Sequence, residues 1–212
     1  MTIIVPSPAH VPNETPAVSQ EELVTAAAGA TAPARGLQEE KKVTESAATA
    51  KTKVAFRAPV TEDGPAVWNL VENTPGLDSN SVYYYTLWFR DFADGSLIAT
   101  VDDEIVGFLT GYRRPDEPHT YFVWQTAASP RHGIPFLGVK LFQAAADQQV
   151  AAGARYVEAT VSAENKSIIM VLKQFAKKHN ASIETRVLFP SSLFPDSHHD
   201  EVLYRIGPLS AD

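Results

Sequence analysis

Cysteine is missing from the chain altogether. That absence removes disulfide frameworks, thiolate nucleophiles and Cys-ligated zinc, and it is consistent with a reducing cytosol. Positive charge is also in short supply, since 18 Lys and Arg stand against 25 Asp and Glu for a net −7. Nucleic-acid affinity comes mainly from clustered Lys and Arg that displace counterions, so a polynucleotide partner is not expected. No uncharged apolar run reaches the length of about 18 residues that a bilayer span needs. The opening MTIIVPSPAH lacks the basic start and sustained apolar core of a secretory leader. The expectation is a cytoplasmic protein that works without membrane or nucleic acid.

Aromatic residues are absent from residues 1–53, which are rich in Ala, Pro, Thr, Glu and Lys. Such a segment has too little apolar surface to offset the entropy of ordering it. It reads as a disordered, low-complexity tail, either a solubilising extension or a partner-binding arm. The texture changes at Val54, and residues 54–212 read as one folded domain. KVAFRAP is a first strand ending at Pro59. TEDGPAVWNLVENTPG is a helix with Glu62 and Asp63 at its start, Pro65 in its first turn and Gly76 after its end.

A second helix runs from about Asn80 to Phe92, with Ser79 or Asn80 as its cap. SLIATVDDEIVGFLTGYRR is a hairpin turning at Asp102-Asp103. Tyr121 to Thr126 is a strand, and a helix follows over about 135–152. Apolar Leu137, Leu141, Phe142, Ala145 and Val150 line one side of that helix, Pro135 lies in its first turn and Gly153 closes it. RYVEATV, Lys166 to Lys178, SIETRVLF and EVLYRI complete the order β-α-α-β-β-β-α-β-α-β-β. Strands joined alternately by hairpins and helices give an α/β fold with a mixed sheet covered by helices.

The stretch QTAASPRHGIPFLGVKLFQAAA, Gln125 to Ala146, feeds a strand through a tight turn into a helix. Free amides of a first helical turn converge on one spot, and with the helix dipole they hold a phosphate. Arg131 and Lys140 add positive charge nearby. Taken alone, the loop reads rather as an ordinary strand-to-helix connection.

From about Val54 to Gly207 this order of elements resembles the GNAT superfamily of N-acetyltransferases. The resemblance implies a mostly antiparallel mixed sheet and acetyl-CoA as co-substrate. It also implies a bulged fourth strand whose amides, over Gln125, Thr126, Ala127 and Ala128, receive the pantetheine arm. The family's pyrophosphate loop, Gln/Arg-x-x-Gly-x-Gly/Ala, is matched in part. Leu137 and Gly138 take its last two positions, Phe136 stands where its first glycine is expected, and Gly133 stands where an arginine is common. Cofactor contacts are therefore expected from Gln125 to Ala128 and from Arg131, Gly133, Leu137 and Gly138. Asn165, after the fifth strand, joins them as a pantetheine contact, and its alternative is a turn or a helix cap.

Within that superfamily, LDSNSVYYYTLWFRDFADGSLIA, FVWQTA, EATVSAENKS and HHDEVLYRIG resemble, in order and separation, the diaminobutyrate acetyltransferases of ectoine synthesis. The resemblance implies acetyl transfer to the γ-amine of L-2,4-diaminobutyrate by a homodimer. Such a substrate presents two ammonium groups and a carboxylate on a short carbon chain. Acidic partners, hydrogen-bond donors and an aromatic wall suit it, and Asp78, Asn80, Tyr83, Trp124, His198 and Glu201 offer them. Asp78 and Asn80 also read as caps, and Trp124 as core. HHDE also reads as a charged turn; adjacent histidines on an extended segment point to opposite sides, so no metal is expected.

The nucleophile must be a neutral amine. From a reference pKa of about 10.4, deprotonation at pH 7 costs roughly 4.6 kcal/mol, so a base is useful. Glu201, Asp78 and His198 are the candidates, with no choice among them. A backbone amide near Gln125 to Ala127 is placed to meet the oxyanion. The helix after Asn165 lacks the tyrosine that many relatives aim at the departing thiolate; Tyr85 and Tyr204 are the nearest in type. The alternatives are acetylation of another small amine, or a non-catalytic acyl-CoA binder, which Phe136 in place of glycine motivates.

Overall fold

The computed structural model describes residues 53–129, 134–195 and 199–210. Apart from Lys53, the expected tail lies outside the described residues. The chain runs β1 (Ala55–Arg57), α1 (Gly64–Glu72), α2 (Val82–Asp91), β2 (Leu97–Val101), β3 (Glu104–Arg113) and β4 (Thr120–Ala128). It continues through α3 (Leu137–Ala151), β5 (Tyr156–Val161), α4 (Lys166–Lys178), β6 (Ser182–Phe189) and β7 (Glu201–Gly207). This is the order expected from periodicity. The strands form a seven-stranded sheet, β1-β2-β3-β4-β5-β7-β6, in which β4 and β5 alone pair in parallel.

Helices cover both faces because both faces of the central strands are apolar. On one face Leu109, Tyr121, Val123, Val157, Ala159 and Ile206 pack under α3 and α4. On the other, Ile98, Phe108 and Ala127 meet Val67 and Val71 of α1 and Tyr85 and Phe89 of α2. The five apolar positions expected along α3 are all buried. Alternation along β5 sends Glu158 and Thr160 to the α1/α2 face, where Glu158 accepts from Arg205 Nη1 at 2.5 Å and Arg114 Nη1 at 3.2 Å.

Several ends differ from expectation. Helix α2 is capped by Ser81, whose hydroxyl accepts from the Tyr84 N–H at 3.1 Å, so neither Ser79 nor Asn80 caps it. Ser79 instead bonds the Glu72 carboxylate. Pro135 precedes α3 rather than lying in its first turn. Asn165 is the cap of α4, its side-chain oxygen accepting from the Ile168 N–H at 3.3 Å. The hairpin turn is where expected, with Asp102 at φ 48° and Asp103 at φ 65°, as a type I′ turn requires.

Candidate functional site

Strand β4 carries a bulge. Its register with β3 shifts so that Gly111 faces Val123 while Thr110 faces Gln125, leaving Trp124 as the extra residue. A bulge cancels one step of alternation, so two consecutive side chains, Trp124 and Gln125, both turn toward α2. The Trp124 ring packs on Trp88 and Phe122. Gly111 suits the bulge because a side chain there would collide with the Tyr121 hydroxyl. That hydroxyl is itself held by the carbonyl of Gly95 at 2.7 Å.

Past the bulge β4 stays on β3 through Ala128 but leaves β5, the last parallel pair being Val123 with Ala159. Past the bulge the strand thus has an edge with no strand beside it among the described residues, the arrangement an extended ligand can join. Next to that edge lies a cavity of about 820 Å³. Thr126, Ala127 and Ala128 of β4, Leu137 and Gly138 of α3 and Ile168 of α4 form much of its wall. The lining is largely apolar, and the Thr126 hydroxyl, buried without a partner, is a polar group that a ligand in the cavity would satisfy.

The first turn of the 15-residue α3 opens on the same cavity through Phe136 to Lys140. Phe136 stands at φ 58°, ψ 32°, the left-handed conformation that favours glycine, and its ring is 77% exposed at the cavity rim. The backbone therefore takes the shape a glycine would give it while the side chain points away from the core. Gly138 has open space where a side chain would be. Arg131 and Gly133, expected at the pyrophosphate, lie outside the described residues.

The α1/α2 face of the same bulge carries the other expected residues. Asp78 is exposed in the loop between α1 and α2. Asn80, partly buried in that loop, holds its Nδ2 buried without a partner, and so do the Tyr84 hydroxyl and the Trp124 indole N–H. Burial pushes the Tyr84 phenol well above its ordinary range, with the neighbouring Tyr85 adding to the shift and the Trp124 N–H working weakly against it. Burial also raises Tyr85, against opposing contacts from Asn80 and Gln125. Glu201, at the start of β7, is fully buried, and alternation along β7 places it on this face with Leu203 and Arg205. His198 lies outside the described residues. His199 is exposed, 3.8 Å from Glu164, and Asp200 accepts from the Ser191 N–H at 2.6 Å.

Two of the expected residues stand apart from these buried donors. Tyr83, expected against the substrate, is 73% exposed on the outer side of α2, and Tyr84 and Tyr85 turn inward instead. The i, i+4 pairs Tyr84–Trp88 and Tyr85–Phe89 carry that signal, since they align on the buried side of a helix. Gln125, expected on pantetheine, directs its side chain to the opposite face. Its Oε1 accepts from the Tyr85 hydroxyl at 3.0 Å and its Nε2 donates to the Asp78 carbonyl at 3.0 Å. Of the two tyrosines of suitable type, Tyr85 is thus engaged by Gln125, while Tyr204 packs against the core under α3 and α4.

Residues 65–175 match the model of the acetyltransferase (GNAT) family. The chain is 38% identical over 157 residues to the L-2,4-diaminobutyric acid acetyltransferase of Nocardia farcinica, covering 74% of this chain and 81% of that protein. It is 41% identical over 164 residues to the protein of the same name from Streptomyces anulatus, covering 74% and 91%. Among solved structures it is similar to diaminobutyrate acetyltransferase EctA from Paenibacillus lautus, determined in complex with L-2,4-diaminobutyric acid and coenzyme A. The identity there is 34%, the TM-score 0.70, and the coverage 76% of this chain and 98% of that one. With the parted strands, the cavity at the head of α3 and the buried carboxylate of Glu201, these likenesses place the chain in the GNAT family of acetyltransferases, among the L-2,4-diaminobutyric acid acetyltransferases.

Proposed function

We propose that the protein transfers the acetyl group of acetyl-CoA to the γ-amine of L-2,4-diaminobutyrate, giving N-γ-acetyl-diaminobutyrate for ectoine synthesis. The observation that carries this reading is the parting of β4 from β5 at Val123. It leaves one strand edge with a cofactor-sized cavity on one side. On the α1/α2 face lie the buried donors of Asn80, Tyr84 and Trp124 and the buried carboxylate of Glu201. The pantetheine arm lies along residues 126–128 with Thr126 as a side-chain partner, and the pyrophosphate lies at the first turn of α3. A helix of 15 residues favours negative charge there.

The chemistry then asks little of the chain beyond position and proton handling. The γ-amine loses a proton, its lone pair attacks the thioester carbon, and the C–N bond forms as the C–S bond breaks. The thiolate leaves and takes up a proton. Glu201 is favoured over Asp78 as the base because it is buried, whereas Asp78 is exposed, and a carboxylate away from water attracts an ammonium more strongly. Trp124, Asn80 and Tyr84 offer donors suited to the substrate carboxylate. A main-chain amide past the bulge meets the oxyanion.

The same reading makes the enzyme a cytoplasmic homodimer without nucleic-acid or membrane partners. Edge strand β6 supports association, since Val187 and Phe189 on it and Leu193 beyond it are exposed. Calorimetry with CoA, followed by a thiol-release assay with diaminobutyrate, tests the reading. Binding with turnover is expected. Binding without turnover means a sensor, and no binding means that the cavity holds another ligand.

A further inference from the structure

Gln125 is 1% exposed and lies beside apolar groups of the α1/α2 core. A carboxamide so placed is costly unless both its atoms are bonded. Here both are, and the partners lie far away in sequence. Oε1 takes the Tyr85 hydroxyl of α2, and Nε2 reaches the main-chain carbonyl of Asp78. The residue is also clamped from behind. Its N–H donates to the Thr110 hydroxyl at 3.1 Å, and its carbonyl accepts from the same hydroxyl at 3.2 Å. The described side-chain hydrogen bonds of residues 73–81 otherwise run within the loop or to α1 and α2. Thr74 bonds Leu70, Asn73 bonds Asn69, Ser79 bonds Glu72 and Ser81 caps α2. Among the described side-chain hydrogen bonds, the one from Gln125 to Asp78 ties this loop to the sheet, beside the apolar packing of Leu77.

We propose that Gln125 is a positioning residue: it holds the loop carrying Asp78 and Asn80 against the bulge of β4. The substrate-facing groups then stand at a fixed distance from the strand edge that receives the thioester. The proposal rests on the reading of that loop as part of the diaminobutyrate site. Neither strand alternation nor residue type demands a glutamine here, since Met or Leu would fill the space without two buried polar atoms. The bulge explains why the residue beside Trp124 can point the same way as Trp124. A side chain spanning strand, helix and loop orders all three at once, and near-attack geometry depends on such order.

The test uses the full chain with three substitutions. Gln125→Met removes both side-chain bonds at similar volume. Gln125→Glu keeps an acceptor for Tyr85 but loses the donor to the Asp78 carbonyl, and Tyr85→Phe removes the hydroxyl bond to Oε1 while leaving the bond to Asp78. Gln125→Met and Gln125→Glu are expected to raise the KM for diaminobutyrate about tenfold or more while leaving the KM for acetyl-CoA within about twofold. Amide exchange should speed up over residues 74–81 but not over β3. Tyr85→Phe should have the smaller effect on both. Parallel rises in both KM values with faster exchange throughout would mean a merely structural role and overturn the proposal. An unchanged KM for diaminobutyrate overturns it as well, and Asp78→Ala and Asn80→Ala then identify what failed. If they raise that KM, the loop is substrate wall and only the role of Gln125 is lost; if they do not, the reading of the loop is lost with it.

Discussion

The rings of Trp88 and Trp124 lie 5.7 Å apart, centroid to centroid, with planes tilted by 33°. The indole N–H of Trp124 meanwhile stays buried without an acceptor. The stack anchors the bulge to α2, and the indole N–H is the donor proposed for the substrate. Trp124→Phe keeps much of the stack and removes the donor, so the KM for diaminobutyrate should rise about tenfold, the value of one hydrogen bond. Stability should fall by only about 1 kcal/mol. Steady-state kinetics and denaturant melts check both values, and unchanged kinetics would remove Trp124 from the substrate wall.

Glu201 is the buried carboxylate proposed as the base. Glu201→Gln keeps its shape and removes its basicity, so turnover on diaminobutyrate should fall by roughly 10²–10⁴. The variant should then depend on solvent to supply neutral amine. Its log kcat/KM should rise with pH at unit slope toward the amine pKa, near 10 on the lysine scale. A pH profile parallel to that of the unaltered enzyme would assign the proton transfer elsewhere.

Phe136 holds a left-handed backbone at φ 58°, which costs a side-chain-bearing residue about 1–2 kcal/mol. Phe136→Gly relieves that strain, partly offset by the greater freedom of glycine in the unfolded chain. A net stabilisation of about 0.5–1 kcal/mol is expected in urea melts. Destabilisation would show that the exposed ring packs against something that holds the loop in place.

Asp63 receives Arg57 Nη1 and Nη2 at 2.6 and 2.7 Å and the Val60 N–H at 2.8 Å. Burial would raise its carboxyl, but the hydrogen bonds from Arg57 and Val60 outweigh it and hold the group below the ordinary carboxylate range. A lowered folded pKa means stability that is fully present above the unfolded value, near 3.9, and lost as pH falls through the folded value. Asp63→Asn should therefore destabilise at neutral pH and flatten the acid limb of the stability curve. Equal acid sensitivity in both proteins would show that the pair adds nothing.

The element order was legible because alternation and 3.6-residue periodicity both report burial, and both faces of this sheet are covered. Helix α4 shows why some ends are legible, since Asn165 offers a single good cap before a strongly amphipathic run. Ser79, Asn80 and Ser81 offer three in a row, and only the length of the preceding turn selects Ser81. The bulge was beyond reach by pattern alone, as one extra residue in a buried strand leaves no mark in composition. It was that residue that sent Gln125 to the α2 face. Three consecutive tyrosines are identical in type, and only their helical partners Trp88 and Phe89 separate Tyr84 and Tyr85 from Tyr83.

The central claim is the choice of amine, and a panel measures it directly. Diaminobutyrate, ornithine, lysine and 1,3-diaminopropane would be assayed with acetyl-CoA, and the position of the new acetyl group read by NMR. The expected result is the highest kcat/KM for diaminobutyrate, with the acetyl group on its γ-nitrogen. A higher kcat/KM for any other amine, or acetylation at the α-nitrogen, would contradict the account.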